Sequence, residues 1–414
     1  MTLFQMAALF LTLVAVVGWV NARWLKLPSG VAMVLAGAAI PAAAPLLDRL
    51  PGLQPHWLTN TAAQVNFSEA VMGYMLAFLL FAGATQVDLT EMVKRRVSVT
   101  TLATLGVAAS TMVVGFGLWA AAGVLHLDLP LPWALAFGAL ISPTDPIAVL
   151  ATVKEGPLSL RLRTVLQGEA LFNDGVGIVV FTALVAFMGG AAPDGWRTVG
   201  LVAVEALGGL AIGWAGGALV IRLMRAIDDH AVEVSLTLAL AAGVYALAQA
   251  LHLSGAIAAV TAGLIIGGPQ AECAMSETTQ RYVSGFWTLV DEILNALLFL
   301  MLGLELLVVP FAPAGVGLWA TAIVLVLLAR LLVVAPWGVF FGYDGDRGAI
   351  RLLTWGGLHG ALSLALALSL PAGPARGLVL ATTFAVVLFS VVVQGLTFMP
   401  LARRTGQSES GLQP

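Results

Sequence analysis

The chain has 414 residues, 60% of them hydrophobic and only 10% charged, against roughly 25% charged residues in an ordinary soluble domain. So little polar surface cannot cover a compact body in water, so the solvent must be lipid and a soluble globular enzyme is excluded. A net charge of −3 leaves no basic face for nucleic acid, and the single cysteine, Cys273, supplies neither a disulfide nor a thiolate cluster.

A membrane-crossing helix needs about 20 apolar residues. On that scale the sequence predicts an all-α polytopic membrane protein of about thirteen spans, near 3–20, 28–46, 67–86, 97–122, 132–151, 164–190, 198–220, 231–250, 253–268, 286–309, 314–337, 350–370 and 377–400. The first reads as a span and not a signal peptide, because no basic segment precedes it and no small-residue cleavage site follows it. Only Leu251 and His252 divide the eighth span from the ninth.

Charge asymmetry tests this division independently. Of the 19 Lys and Arg residues, 15 fall in the tail or in loops after odd-numbered spans, three follow even-numbered spans, and Arg330 lies inside a span. The positive-inside rule then places the N-terminus outside and the C-terminus in the cytoplasm. Sixteen Arg against three Lys, with abundant Ala and Gly, fit a GC-rich bacterial genome, so a bacterial plasma (inner) membrane is the expected location. Trp19, Trp24, Trp133, Trp196 and Trp337 fall near span ends and are expected in the interfacial belts.

No loop is long enough to form a soluble domain, so the chemistry is expected within the bilayer. Two spans carry helix breakers: the fifth at Ser142-Pro143-Thr144-Asp145-Pro146, the twelfth at Gly356-Gly357-Leu358-His359-Gly360. Interrupted helices in corresponding positions of two halves point to a secondary transporter with inverted repeats and a midplane site, here spans 4–6 and 11–13.

An ionisable side chain at bilayer depth is costly and needs a reason. Asp145, Glu169, Asp174 and Arg330 sit that deep. In the sixth span Glu169 and Asn173 are spaced i,i+4 and share a helical face, whereas Asp174 is turned about 100° from Asn173. Arg330 must be paired, and Glu169 is its candidate partner. Asp291 and Glu292 are expected at a cytoplasmic helix start, where the dipole favours acids. Glu205 and Glu305 are expected to face an interface or a loop.

The motif from Ser142 to Pro146, followed by Gly168-Glu169 and Asn173-Asp174-Gly175, resembles the NhaP/NHE branch of the cation:proton antiporters. So do Leu253-Ser254-Gly255-Ala256-Ile257, Leu302-Gly303-Leu304-Glu305, the helix carrying Arg330, and Gly356-Gly357-Leu358 with Gly360-Ala361. The likeness runs in order along nearly the whole chain. It implies an NhaA-like inverted-repeat fold of thirteen spans with two crossed discontinuous helices, working as a homodimer in pH homeostasis. The dimerisation domain would comprise residues 1–90 and 229–312, and the moving core 91–192 and 313–402. Residues 193–228 would form a linker helix and 403–414 a short tail.

The resemblance also assigns roles. Asp174 matches the aspartate that binds ion and proton, and Asn173 the neutral neighbour associated with electroneutral exchange. Thr144 and Asp145 match the unwound motif beside the site, framed by Pro143 and Pro146. Glu169 and Arg330 match a structural ion pair. Three positions depart from the pattern: Ala82 stands where relatives often have an acid, Ala170 where a serine often follows the glutamate, and His359 where an arginine is usual. The first two remove oxygen ligands and bear on ion choice; the third bears on pH response.

A lone buried carboxylate favours its neutral form and holds either a proton or a cation, not both. Competition at Asp174 therefore suffices for exchange of Na⁺ or Li⁺ against H⁺, with Thr144, freed carbonyls and water completing the oxygen shell. No cofactor is expected beyond the transported ions. K⁺/H⁺ exchange is the alternative on the same fold. An intramembrane aspartyl protease would also pair Asp145 with Asp174, but the sequence lacks a Gly-x-Gly-Asp motif and that reading gives Arg330 no role. Blander readings stand beside the residue roles. Asp174 could be a packing carboxylate, Asp145 and Thr144 could serve the broken backbone, Asn173 could be interhelical glue, and His359 a hydrogen-bonding replacement.

Overall fold

The computed structural model describes residues 3–47, 69–145, 160–188, 195–305, 315–340 and 347–405. Among these residues every regular element is a helix. α1 (Leu3–Val20) continues through a wide π turn, Asn21–Leu25, and stops at Lys26, whose left-handed backbone (φ 53°) returns its N–H to the Asn21 carbonyl at 2.8 Å. α2 (Ser29–Leu47) follows, and a second π turn, Ala70–Met75, opens into α3 (Leu76–Thr85). α4 (Leu89–Lys94) is short and is capped by Asp88, whose Oδ1 accepts the Glu91 N–H at 3.0 Å. α5 (Arg96–Thr101), the π turn Leu102–Gly106 and α6 (Val107–Val124) make one continuous helix of membrane length.

α7 (Leu131–Ile141) stops short, and α8 (Leu160–Met188) and α9 (Gly195–Met224) are long. α10 (His230–Ala250) begins on Asp229, whose Oδ1 accepts from Ala231 N (2.9 Å) and Val232 N (3.2 Å). A tight turn through His252 (φ 56°) separates it from α11 (Gly255–Ile266), which Ser254 caps. The eighth and ninth expected spans are thus distinct helices. α12 (Pro269–Glu272) precedes α13 (Glu277–Leu304), and α14 (Val316–Phe340) carries Arg330. α15 (Arg347–Trp355) and α16 (Ala361–Leu368) are the two halves of the twelfth expected span. α17 (Arg376–Phe389), the π turn Ser390–Gln394 and α18 (Gly395–Arg404) close the chain.

Eight of the helices among the described residues are long and apolar enough to cross a membrane. Ser29–Ile40, Leu76–Thr85, Leu131–Ile141 and Gly255–Ile266 are shorter apolar helices. The fifth and twelfth expected spans fall below full length because proline and glycine stop them midway, as their sequences predict. Pro146 lies outside the described residues, as do residues 48–68 and those beyond Thr405.

The helices pack most densely within two groups. In one, α2 lies along α13, and α11 is wrapped by α3, α9 and α10; in the other, α6 lies between α7 and α14, α8 packs on α7, and α16 and α17 pair. Contacts between the groups are fewer, chiefly α8 with α11 and α16 with α13. α1 and much of α9 keep apolar side chains such as Phe4, Trp19, Leu207 and Trp214 uncovered, which lipid tolerates and water does not. Trp133 and Trp337 are buried within the protein: Trp133 packs on Gly373 and Trp337 belongs to an apolar cluster with Leu102, Val334 and Phe398.

Small residues set the closest approach, as they must where lipid supplies no hydrophobic drive between helices. A Cβ on Gly303 would fall on the Val34 carbonyl, and one on Gly37 on the Leu300 carbonyl. Gly303→Val is therefore expected to force α2 and α13 apart, at a cost of about 3 kcal/mol. The check is the melting temperature of the detergent-purified variant against that of the parent.

Candidate functional site

The two helix breaks meet. Proline has no N–H to give and cannot continue a helix, so after Ser142, whose N–H still reaches the Ala139 carbonyl, the chain runs through Pro143, Thr144 and Asp145 without helical bonding. Residues 357–360 are likewise non-helical between α15 and α16. Backbone groups freed inside a bilayer must be satisfied by protein, and here each break serves the other. The Asp145 N–H donates to the Leu358 carbonyl at 2.6 Å, and His359 Nδ1 bonds the Pro143 carbonyl at 3.1 Å. The His359 N–H in turn donates to Ser390 Oγ at 2.8 Å.

Two glycines are required by this crossing. A Cβ at Gly360 would collide with the Asp145 carboxylate, and one at Gly357 would meet the Arg330 side chain at 2.6 Å. Gly356 also has no room, against the Leu352 carbonyl and the Phe398 ring.

α8 passes behind the crossing and sorts its polar side chains by face. Glu169, 2% exposed, receives both Nη atoms of Arg330, with Nη2 to Oε2 at 2.8 Å and Nη1 to Oε1. Arg330 Nε donates to the Leu353 carbonyl at 3.1 Å, so the pair also ties α14 to α15. One turn along, Asn173 Nδ2 donates to Thr144 Oγ1 at 2.9 Å. The expected partner of Arg330 is thus the actual one, and the i,i+4 face carries Glu169 and Asn173 together.

Asp174 points elsewhere. It lines a cavity of about 490 Å³ together with Thr144 and Asp145 from the broken span, Arg163 and Ala170 from α8, and Asp291 from α13. Pro28, Ser29 and Gln86 also line it. These are residues at the start of α2 and just past the end of α3, next in the chain to the segments carrying Arg23, Lys26 and Lys94. The cavity therefore joins Asp174 to the face of the molecule where these basic residues lie.

Asp291 and Glu292 are not at a helix start. α13 begins fourteen residues before Asp291, at Glu277, on the Ser276 cap, and both acids line the cavity halfway along the helix. The apolar run from residue 286 hides the polar first turns that the cap extends. Asp291 is held in place by Gln86 Nε2 at 3.3 Å and by Asn295 Nδ2 at 2.9 Å. Adjacent acids inside an otherwise apolar window were the available signal for this cavity wall.

The three departures have different surroundings. Ala170 lines the cavity and offers its wall no side-chain oxygen. Ala82 is fully buried in an apolar cluster with Phe81 and Trp287. The His359 ring is bonded to the broken backbone. Glu305 is buried at the end of α13, and Glu205 offers its carbonyl to Ser254 N at 3.1 Å.

Comparison with known proteins agrees with this architecture. The chain matches the model of the family described as "Sodium/hydrogen exchanger, transmembrane" over residues 10–404. It is 42% identical to the Na⁺/H⁺ antiporter NhaP of Pseudomonas aeruginosa, covering 97% of this chain and 96% of that protein. It is 35% identical to the Na⁺/H⁺ antiporter NhaH of Halobacillus dabanensis, over 93% of this chain and 94% of that one. The fold is similar to that of the sodium proton antiporter MjNhaP1 from Methanocaldococcus jannaschii at pH 8, with a TM-score of 0.76 over 98% of this chain at 20% identity. A helical body of membrane-length spans, with a match to one transporter family over nearly its whole length, places the chain in the sodium/hydrogen exchanger family of multi-pass membrane proteins.

Proposed function

We propose that the chain exchanges Na⁺ or Li⁺ for H⁺ across the membrane, with Asp174 as the shared binding site. The observation that carries this reading is that Asp174 opens onto the large cavity beside Thr144 and Asp145, while Glu169, on another face of α8, is committed to Arg330. A carboxylate free of a fixed cation holds a proton or a metal ion in turn. A small hard cation needs several oxygen ligands, and Asp174 and Thr144 supply them with water and carbonyls of the break. Asn173 stays neutral and adds no second charge to the site.

Exchange then needs no covalent step. A cation entering the cavity displaces the proton from Asp174, the site changes sides, and a proton on the far side displaces the cation. Two densely packed helix groups with fewer contacts between them support movement of a core, residues 91–192 and 313–402, against a dimerisation domain, residues 1–90 and 229–312, joined by the helix at 193–228. The apolar face left uncovered on α1, within the proposed dimerisation domain, supports a homodimer. The charge distribution of the loops supports a cytoplasmic C-terminus and an external N-terminus, and the named bacterial relatives support a bacterial plasma membrane. On this orientation the large cavity faces the cytoplasm.

K⁺/H⁺ exchange is the second reading, favoured by Ala170, which leaves one oxygen fewer in the cavity wall. Proteoliposomes with a trapped pH dye, an imposed pH gradient and a clamped membrane potential separate the two when Na⁺, Li⁺ or K⁺ is added. The expected result is a saturable pH change ordered Na⁺ or Li⁺ above K⁺. Silence toward all three ions in folded protein would overturn exchange.

A further inference from the structure

Behind the bond between Asn173 and Thr144 lies a second cavity, of about 20 Å³, bordered by Ser142, Thr144, Glu169, Asn173, Arg330 and His359. Thr144 borders both cavities, so the pair it makes with Asn173 is the partition between them. His359 and Asn173, which both border this space, each bring a hydrogen-bond acceptor to it. The Pro143 carbonyl can only accept, so its bond to His359 Nδ1 fixes the ring proton on Nδ1 and leaves Nε2 with a lone pair. Asn173 gives Nδ2 to Thr144 and keeps a buried Oδ1 that meets no donor among the described residues.

A buried amide oxygen without a donor is costly. A cavity of about 10–15 Å³ already accommodates one water, provided the water finds polar partners. Water carries two donors, the number these two acceptors require. A cation would meet the same acceptors, but it would also meet the Arg330 guanidinium in the same wall.

We propose that the small cavity binds one water molecule, which donates to His359 Nε2 and Asn173 Oδ1 and so fixes the orientation of the Asn173 amide beside the ion site. With the amide turned over, Nδ2 would face the small cavity and the second water proton would lose its acceptor. Thr144 Oγ1 would then have to donate to Asn173 Oδ1 instead of accepting from Nδ2. The water therefore selects which atoms Thr144 presents to the large cavity, and His359 and Asn173 act as positioning residues. The water does not depend on the exchange reading; its effect on ion affinity does.

The test compares the full chain with His359→Asn, whose amide nitrogen falls near the position of Nδ1 and retains a donor for Pro143 but has no acceptor at the position of Nε2. Each is imaged at a resolution that reveals ordered solvent, and Na⁺-driven exchange is measured on the same preparations. The expected map of the parent has a solvent peak about 3 Å from both His359 Nε2 and Asn173 Oδ1, absent from the variant. The variant's KM for Na⁺ is expected to rise about fivefold, the loss of one net hydrogen bond, with kcat within about twofold. Val326→Ile, which adds a methylene to the apolar wall of the same cavity, is expected to expel the water and raise KM likewise while leaving His359 intact. A parent map without that peak overturns the site whatever the transport result, and decides the question even if both variants fail to fold. A peak lost in the variants with unchanged KM overturns the positioning role. Absence of exchange in a parent that shows the peak counts against the exchange reading and not against the water.

Discussion

Asp174→Asn is expected to reduce cation-dependent proton flux to the level of empty liposomes while the protein remains folded and monodisperse. The amide is nearly isosteric with the carboxyl and faces a large cavity rather than a packed core, so little stability is at stake. It neither releases a proton nor carries the charge that a cation needs. Flux in proteoliposomes with a clamped potential measures the first expectation and thermal melting the second. Normal exchange by the Asn variant would remove Asp174 from the centre of the mechanism. Competition also has a sign in the parent: where protons occupy the site, each unit fall in pH is expected to raise the apparent KM for Na⁺ by up to about tenfold, with kcat at saturating Na⁺ much less affected.

The pair of Glu169 and Arg330 should fail in the opposite way, through folding rather than chemistry. Both side chains are buried, the contact is bidentate, and Arg330 Nε is also committed to the Leu353 carbonyl. Removing one partner of such a pair leaves an uncompensated buried charge, at a cost of about 3–5 kcal/mol. Glu169→Gln and Arg330→Met are therefore each expected to lower the melting temperature and the yield of extracted protein sharply. Glu169→Arg or Arg330→Glu should be worse, since each places like charges in contact. The double swap should recover part of the loss, because the pair remains opposite in sign, but not all of it, because a glutamate at position 330 is too short to reach the Leu353 carbonyl and has no proton to donate to it. Equal melting of all variants would contradict a structural role. Retained stability with lost exchange would move the pair into the transport site.

Much of this molecule is written in local sequence. An apolar run of membrane length requires a helix because lipid offers no other partner for backbone polar groups, and the positions of most spans follow from that alone. Proline at 143 and glycine at 356 and 357 announce two interruptions. The helical period separates Asp174 from Glu169 and Asn173 before any neighbour is known, and the rarity of basic residues in spans directs Arg330 toward an acid. All of these depend on residues within a few turns of one another.

What the sequence alone determined is therefore the helices, their breaks and the face on which each polar side chain stands. Only the tertiary structure decided that the two breaks bond each other through Asp145, Leu358, Pro143 and His359, and that Asp291 lines the large cavity from the middle of a helix. It also decided that Ala170 belongs to the cavity wall and Ala82 to an apolar core. The physical reason is the range of the interactions. Helix formation and helical phase are fixed by hydrogen bonds between residues four apart, whereas the facing of one helix by another is fixed by close packing between segments that here lie more than two hundred residues apart, which no local pattern encodes.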